Sequence, residues 1–478
     1  MGSTAVPLYE DLKETLEAHG QAHLLNFWSE LSDSQKRQLA GQLQALDWEQ
    51  LDAWIEQYVL QEPEQELPSD LEPAEYYPVH PHSDENRQKY EEAEKEALEL
   101  LRSGKVGGFT VAGGQGTRLG YDGPKGTYPI APITGKSLFQ LFAEMILRAQ
   151  EKYETVIPWY IMTSPINDEP TREFFAKNEF FGLNSDNLFF LQQGTLPAIG
   201  YDGKLLLADK DSLALSPDGH GGSLKALKKS GALEDMKRRG IEHLSYWQVD
   251  NPLVQPLDRR FLGLHQLDNA DVSCRSLTKT GPYEKLGNFC VTDDKVLIVE
   301  YSDMPDDLAR AQDAAGRLRF RAGSPAIHIF RREFIEALTS GHDAGLPVHR
   351  ADKKVPHIDA QGQPIKPTEP NAVKLEMFIF DALPLADEVV IFEAQREEQF
   401  APVKNAAGVD SAESCRKMMQ ERAARWLEDA DISVPRRPND GLDCTIEMSP
   451  RVFLDQEDVH AQAEHLRTPK HGQEEYYD

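Results

Sequence analysis

Cysteine is scarce: a chain of 478 residues has four, Cys274, Cys290, Cys415 and Cys444. None stands in a CxxC pair, which argues against a disulfide framework and against a structural zinc site. The fourteen histidines form no HExxH or comparable ligand cluster. No stretch approaches the roughly 18 unbroken apolar residues of a membrane span. The polar opening MGSTAVPLYEDLKETL lacks the apolar run of a signal peptide, so the cytoplasm is the expected compartment. Positive charge is also short, with 51 Lys and Arg against 80 Asp and Glu and a formal net charge of −29. A surface of that sign repels nucleic acid and anionic membrane, and neither is an expected partner. A small anion binds only where local cations or a metal ion reverse the field.

What is present is ordinary globular composition, 40% hydrophobic and 27% charged, at a length that allows two or three domains. Residues 8–60 carry helical periodicity. Leu39, Leu43, Leu46 and Leu51 recur at helix spacing after Ser32-Asp33-Ser34, a candidate N-cap. A polar, proline-containing stretch at 61–85 reads as an extended connection, and helix resumes at 86–103. From 105 the pattern changes. VGGFTVA (106–112), WYIMTS (159–164), LFFLQ (188–192) and YWQVDN (246–251) read as strands. Between them, residues 137–153, 171–182 and 223–240 read as helices. That alternation predicts an α/β fold with a mostly parallel sheet covered on both faces, and ligands at the carboxyl ends of its strands. Further strands are expected at 296–302, 326–330 and 388–394, a helix at about 411–427, and a hairpin within 443–455. The expected division is a helical N-terminal region (1–103), a catalytic domain (104–405) and a small C-terminal domain (406–478).

One segment stands apart. TVAGGQGTRLGYDGPKGTYPI, residues 110–130, holds six glycines in 21 positions with one arginine and one lysine. The P-loop pattern GxxxxGK[ST] is absent, and Gly114, Gly116 and Gly120 are spaced GxGxxxG rather than GxGxxG. Glycine at 113 and 114 removes side chains where a base or sugar could press on the backbone. Backbone N–H groups of the 116–120 turn can point at phosphate oxygens. Arg118 offers a planar fork of donors and Lys125 a point charge. Glycines, Arg and Lys following a strand point to a polyphosphate, and specifically to a nucleotide.

AGGQGTRLG…PKG resembles the signature of nucleotidyltransferases that make nucleotide-sugars. WYIMTS, FFGL, QQGTLPA, SPDGHGG, QVDNPL, VEYSD and PVKN then follow in the order seen in eukaryote-type UDP-N-acetylglucosamine pyrophosphorylases. The resemblance runs from about residue 8 to 405. It implies a Rossmann-like nucleotidyltransferase domain that condenses UTP with a sugar 1-phosphate, releases pyrophosphate and uses Mg²⁺. It assigns Arg118, Lys125 and Lys404 to the phosphates and Asp250 to the metal. It assigns Gly113, Gly114, Gln193, Gly219 and His220 to the nucleotide, with Gln193 reading the uracil edge. Gly287, Glu300, Tyr301 and Ser324 are assigned to the sugar. Two positions depart from the pattern. His220 stands where the N-acetylglucosamine enzymes read Asn in PDGNGG, as in the GHG of UDP-glucose pyrophosphorylases. Ser324 stands where those enzymes carry an Asn beside the sugar. N-acetylglucosamine 1-phosphate is the first expectation, with glucose or galactose 1-phosphate as the alternative and a non-catalytic nucleotide-sugar sensor as a third reading.

Overall fold

The computed structural model describes residues 5–61, 67–68, 70–341 and 345–478. Its contacts divide the chain into two compact units that do not follow chain order. One gathers residues 1–68, 194–222 and 346–379; the other gathers 69–193, 223–345 and 380–478.

The larger unit is built on an eleven-stranded sheet. Its strands are β1 (Glu72–Pro73), β2 (Val106–Val111), β3 (Trp159–Thr163), β4 (Leu188–Gln192), β5 (His243–Gln248) and β6 (Val272–Thr278). They continue with β7 (Gly287–Thr292), β8 (Lys295–Val299), β9 (Ala322–Ser324), β10 (His328–Arg331) and β11 (Val389–Glu393). The spatial order is β1-β7-β9-β6-β10-β5-β2-β3-β4, with β8 on β7 and β11 on β6. Strands β5, β2, β3 and β4 run parallel, and β11 runs parallel to β6. The α/β expectation is met in these strands. Antiparallel pairs through β10, β9 and β7 extend the sheet to the other edge.

Local chemistry explains the helices that cover the sheet. Helix α1 (Asp84–Arg102) starts where the Ser83 hydroxyl accepts from Asn86 N, with Asp84 and Glu85 in the first turn, where the helix dipole favours negative charge. Helix α2 (Leu138–Tyr153) is capped by Ser137 and buries Phe139, Phe142 and Ile146. Phe139 and Phe142 meet Trp159 and Trp247, whose rings stack at 6.4 Å. Gly108 lets Trp247 lie on the strand, since a Cβ there would stand 2.9 Å from the indole. Helix α3 (Arg259–Leu267) is fastened by Arg275 of β6, 2% exposed, whose guanidinium sits between Phe261 and Phe392 at 4.4 and 4.5 Å. Helix α4 (Ala412–Asp429) opens with a capping box between Ser411 and Ser414.

The other unit contains helices Ala5–Ala18, Asp33–Gln44 and Trp48–Trp54 and a three-stranded sheet of Val348–Lys353, Ala372–Met377 and Ile199–Gly200. Ser32 caps the second helix, and Leu39, Leu43 and Leu51 are buried, but Leu46 falls in the turn between the second and third helices and is only half-buried.

Three local expectations change. The helix expected over 223–240 is two, Gly222–Lys229 and Ala232–Arg239, because Gly231 takes a left-handed φ of 80°. The hairpin expected in 443–455 does not form: Thr445–Met448 pairs in parallel with Glu474–Tyr477 instead. Of the connection at 61–85, residues 62–66 and 69 lie outside the described residues. Its second half is no loose linker. Glu72 and Pro73 pair with β7, and Tyr77 exchanges backbone hydrogen bonds of 2.9 Å with Ile391 and Glu393.

His243, at the start of β5, and His265 of α3 meet edge to face at 5.0 Å, and both are buried. Burial pushes His243 down to about 4. Between pH 6.5 and about 4 the unfolded chain takes up a proton at this position and the folded chain does not, so stability falls as pH drops through that window. His243→Phe is expected to remove about 2 kcal/mol of the stability lost between pH 7 and pH 5, read as a smaller shift in the urea midpoint.

Candidate active site

The glycine loop leaves β2 and is pinned at each step. Ala112 N donates to Met162 O at 2.7 Å, carrying the sheet pattern one residue past the strand. Gly113 leaves room for Gln193 to lie against it: a Cβ there would stand 2.7 Å from the amide Oε1 and push that side chain away. Gln193 is held there by its own N–H, which donates to Thr163 O at 2.8 Å. Asn167 clamps the loop from outside, its Nδ2 donating to Ala112 O at 2.9 Å and to Gly114 O at 3.2 Å. Gly116 N donates to Gly123 O at 2.9 Å, and Lys125 N to Gly114 O at 3.0 Å, closing the loop on itself. Arg118 sits exposed on the short turn Thr117–Leu119 at its tip. At the far end Gly126 packs against Phe139 of α2, where a Cβ would come within 2.1 Å of the ring. Lys125 is therefore a lysine on a fixed stem.

Its ammonium meets Asp250. The Lys125 Nζ–Asp250 Oδ2 distance is 3.2 Å, with the two side chains 17% and 15% exposed. Asp250 lies two residues beyond β5 and is zipped to a distant segment. Asn251 donates to Gln399 O at 2.8 Å and accepts from Ala401 N at 2.9 Å, and Val403 N donates to Asp250 O at 2.8 Å. This zipper brings in Lys404. The turn that carries it closes on Asp410, whose carbonyl accepts from Lys404 N at 2.6 Å and Asn405 N at 2.9 Å. Burial raises the Asp410 carboxyl above its usual range; nearby Lys404 opposes this and Asp250 adds to it. The Lys404 ammonium stands 5.7 Å from the centre of the Phe400 ring.

A second group forms at one end of β7, β8 and β9. Gly287 is paired with Ser324, and a Cβ on Gly287 would stand 3.4 Å from Glu300 Oε1 and 2.4 Å from Ile298. Glu300 follows β8 directly and turns the chain, its carbonyl accepting from Asp303 N and Met304 N. Tyr301 beside it is 42% exposed. The Ser324 hydroxyl accepts from Ala326 N at 3.4 Å. A small apolar cluster of Leu277, Leu286, Ala394 and Phe400 joins this group to the Lys404 segment.

Gly219 and His220 belong to the other compact unit. Gly219 has φ 84°, and a Cβ there would strike Met377 O at 2.3 Å. His220 stacks on Phe378 at 5.5 Å and accepts at Nδ1 from Ile379 N at 3.1 Å, which requires that nitrogen to be unprotonated. Burial, reinforced by His349, pushes its imidazole down to about 4. His220 is thus a neutral, fixed element of its turn at physiological pH.

Within the larger unit, the structure brings together Lys125, Asp250 and the Lys404 segment; Gly113 with Gln193; and Gly287 with Glu300 and Ser324. Sequence reasoning missed Asn167, Asn251 and Asp410. Asn167 and Asn251 act through backbone carbonyls and N–H groups far away in the chain, which no local pattern announces. No helix among the described residues is long and apolar enough to cross a membrane. The described residues hold no group of three or more His, Cys, Asp or Glu able to bind a metal on their own.

Comparison with known proteins identifies the family. The family model described as UTP–glucose-1-phosphate uridylyltransferase matches residues 53–439. The chain is 37% identical over 439 residues to UDP-N-acetylhexosamine pyrophosphorylase-like protein 1 of Xenopus tropicalis, covering 88% of this chain and 85% of the relative. It is 37% identical over 442 residues to UDP-N-acetylglucosamine diphosphorylase 2 of Arabidopsis thaliana, covering 89% and 86%. Among solved structures, the uridine diphosphate N-acetylglucosamine pyrophosphorylase of Trypanosoma brucei shares the fold at a TM-score of 0.82 and 24% identity, covering 100% of this chain and 99% of that one. A glycine loop whose lysine meets a strand-end aspartate, within a family match over most of the length, leaves one assignment: the chain belongs to the UTP–glucose-1-phosphate uridylyltransferase family.

Proposed function

We propose that the protein condenses UTP with N-acetylglucosamine 1-phosphate to give UDP-N-acetylglucosamine and pyrophosphate. The names of its similar relatives support the reaction and the sugar. The observation that carries the chemistry is the convergence of Lys125, Asp250 and the Lys404 segment at the carboxyl end of β5, beside the glycine loop.

The sugar phosphate is already an anionic nucleophile at neutral pH, so the site needs no general base. One of its oxygens bonds to the α-phosphorus as the bond from that phosphorus to the β-phosphate oxygen breaks. The electron pair leaves with pyrophosphate. The chain's task is positioning and charge neutralisation. Lys125 holds the α-phosphate, Arg118 reaches the outer phosphates from the loop tip, and Lys404 adds a third cation. Gln193, with its amide against Gly113, donates to a uracil carbonyl and accepts from the ring N–H. Glu300 accepts from sugar hydroxyls, with Gly287 giving the sugar room and Ser324 and Tyr301 flanking it.

A single half-buried carboxylate suits Mg²⁺, which takes most of its ligands from substrate phosphates and water. Asp250 would hold it, and when bound the ion supplies charge stabilisation for the leaving pyrophosphate. Lys125, 3.2 Å from Asp250, balances part of the carboxylate's charge.

Two assays test this reading. Purified protein given UTP, Mg²⁺ and a panel of sugar 1-phosphates is expected to release pyrophosphate fastest with N-acetylglucosamine 1-phosphate. A faster rate with glucose or galactose 1-phosphate reassigns the sugar, and silence across the panel removes the activity. Lys125→Ala is expected to lower turnover at least about 100-fold, the scale of losing one preorganised charge contact worth about 2.7–4 kcal/mol. A rate within threefold of wild type overturns that role.

A further inference from the structure

Beneath the sugar-binding end of β7, β8 and β9 lies a buried cation that the reaction does not use. Lys279 follows β6 and is 6% exposed. Its Nζ donates to Asn288 Oδ1 at 2.7 Å and to Pro282 O at 3.3 Å. Asn288, 1% exposed, passes the contact on: its Nδ2 donates to Val299 O at 3.1 Å. Val299 is the residue before Glu300. The backbone of the same lysine donates from N to Arg321 O at 2.8 Å, fixing the entry to β9. Its stem fills the space over Gly323, where a Cβ would stand 3.1 Å from Lys279 Cγ and 2.9 Å from Leu286 Cδ1. Gly323 pairs with Asn288, and its neighbour Ser324 pairs with Gly287.

A buried ammonium is costly unless it is well hydrogen-bonded. Burial lowers the Lys279 pKa from its usual value, with Glu284 opposing it. Packing alone gives no reason to place a cation here: a methionine would fill the space over Gly323 at less cost. What the ammonium adds is direction. It fixes which way the Asn288 amide faces, so that the amide nitrogen points to Val299 O and holds the step into Glu300.

We infer that Lys279 is a positioning residue of the sugar pocket: through Asn288 it sets the Val299–Glu300 step against the Gly287–Ser324 floor, and so governs the sugar 1-phosphate rather than the nucleotide. This rests on the sugar-binding reading of Glu300, Gly287 and Ser324 given above. The relay acts on the carboxylate that meets the sugar hydroxyls. The Lys125–Asp250 pair and the glycine loop are held by other contacts.

The test is the steady-state kinetics of Lys279→Met with UTP and N-acetylglucosamine 1-phosphate varied separately, alongside thermal melting. The expected result is a roughly tenfold or greater rise in KM for the sugar phosphate, the scale of one buried hydrogen bond to a charged group. KM for UTP is expected within twofold of wild type, and the melting temperature unreduced, since a buried charge has been removed. Asn288→Asp, which keeps an oxygen to accept from Lys279 Nζ and removes the N–H donated to Val299 O, carries the same expectation and decides the matter if the methionine variant does not fold. An unchanged sugar KM, or equal rises for both substrates, overturns the role of Lys279. Wild-type pyrophosphate release in the same assay separates the two readings. Its absence removes the proposed reaction and the relay with it, whereas an active wild type beside an unaltered variant removes the relay alone.

Discussion

The ion pair between Lys125 and Asp250 is the contact on which the rest of the site depends. On a chain of net charge −29, a phosphate-binding cation needs to be held clear of the surrounding acid and aimed at one place. The fold does this with opposed constraints. Gly126 seats the lysine backbone on Phe139, and the hydrogen bond from Lys125 N to Gly114 O stops the loop sliding along the strand end. Asp250, approaching from the neighbouring parallel strand, sets the direction of the ammonium. Both anchors lie just past the carboxyl ends of β2 and β5, where a parallel sheet leaves room for a ligand.

The antiparallel part of the sheet supplies the other half of the design. Strands β7, β8 and β9 present backbone at Gly287 and Gly323, where side chains are excluded by packing. The apolar contact among Leu277, Leu286, Ala394 and Phe400 ties this part to the segment carrying Lys404. A shift in that cluster would move the Gly287–Ser324 pair and the Lys404 segment together.

Much of this was legible in the sequence, and the reason differs by element. Strand β2 and its loop stood out because glycines and two cations follow an apolar run. Leu39 and Leu43 declared a helix face because burial follows the helical period, whereas Leu51 belongs to the next helix. Gly231 was visible as a residue, but its left-handed turn, which splits one helix into two, depends on how the halves pack. Thr445–Met448 read as half a hairpin because its true partner, EEYY at 474–477, carries two acids and gives no strand pattern of its own. Asn167 and Asn251 were silent since their targets are backbone groups fixed only by tertiary structure. The stretch at 70–77 looked like linker because prolines and acids dominate it, yet its backbone is taken up by β7 and β11.

The zipper from Asp250 and Asn251 to residues 399–403 joins positions about 150 residues apart in the chain. Such closure has consequences during biosynthesis. A ribosome that has released the glycine loop, β5 and even β10 into solution has not yet produced the backbone partners of Asp250 and Asn251. The nascent polypeptide carries that strand end through about 150 further residues before the segment at 399–403 emerges to close on it. This closure is a contact of long sequence separation, the kind that topology makes slow to form.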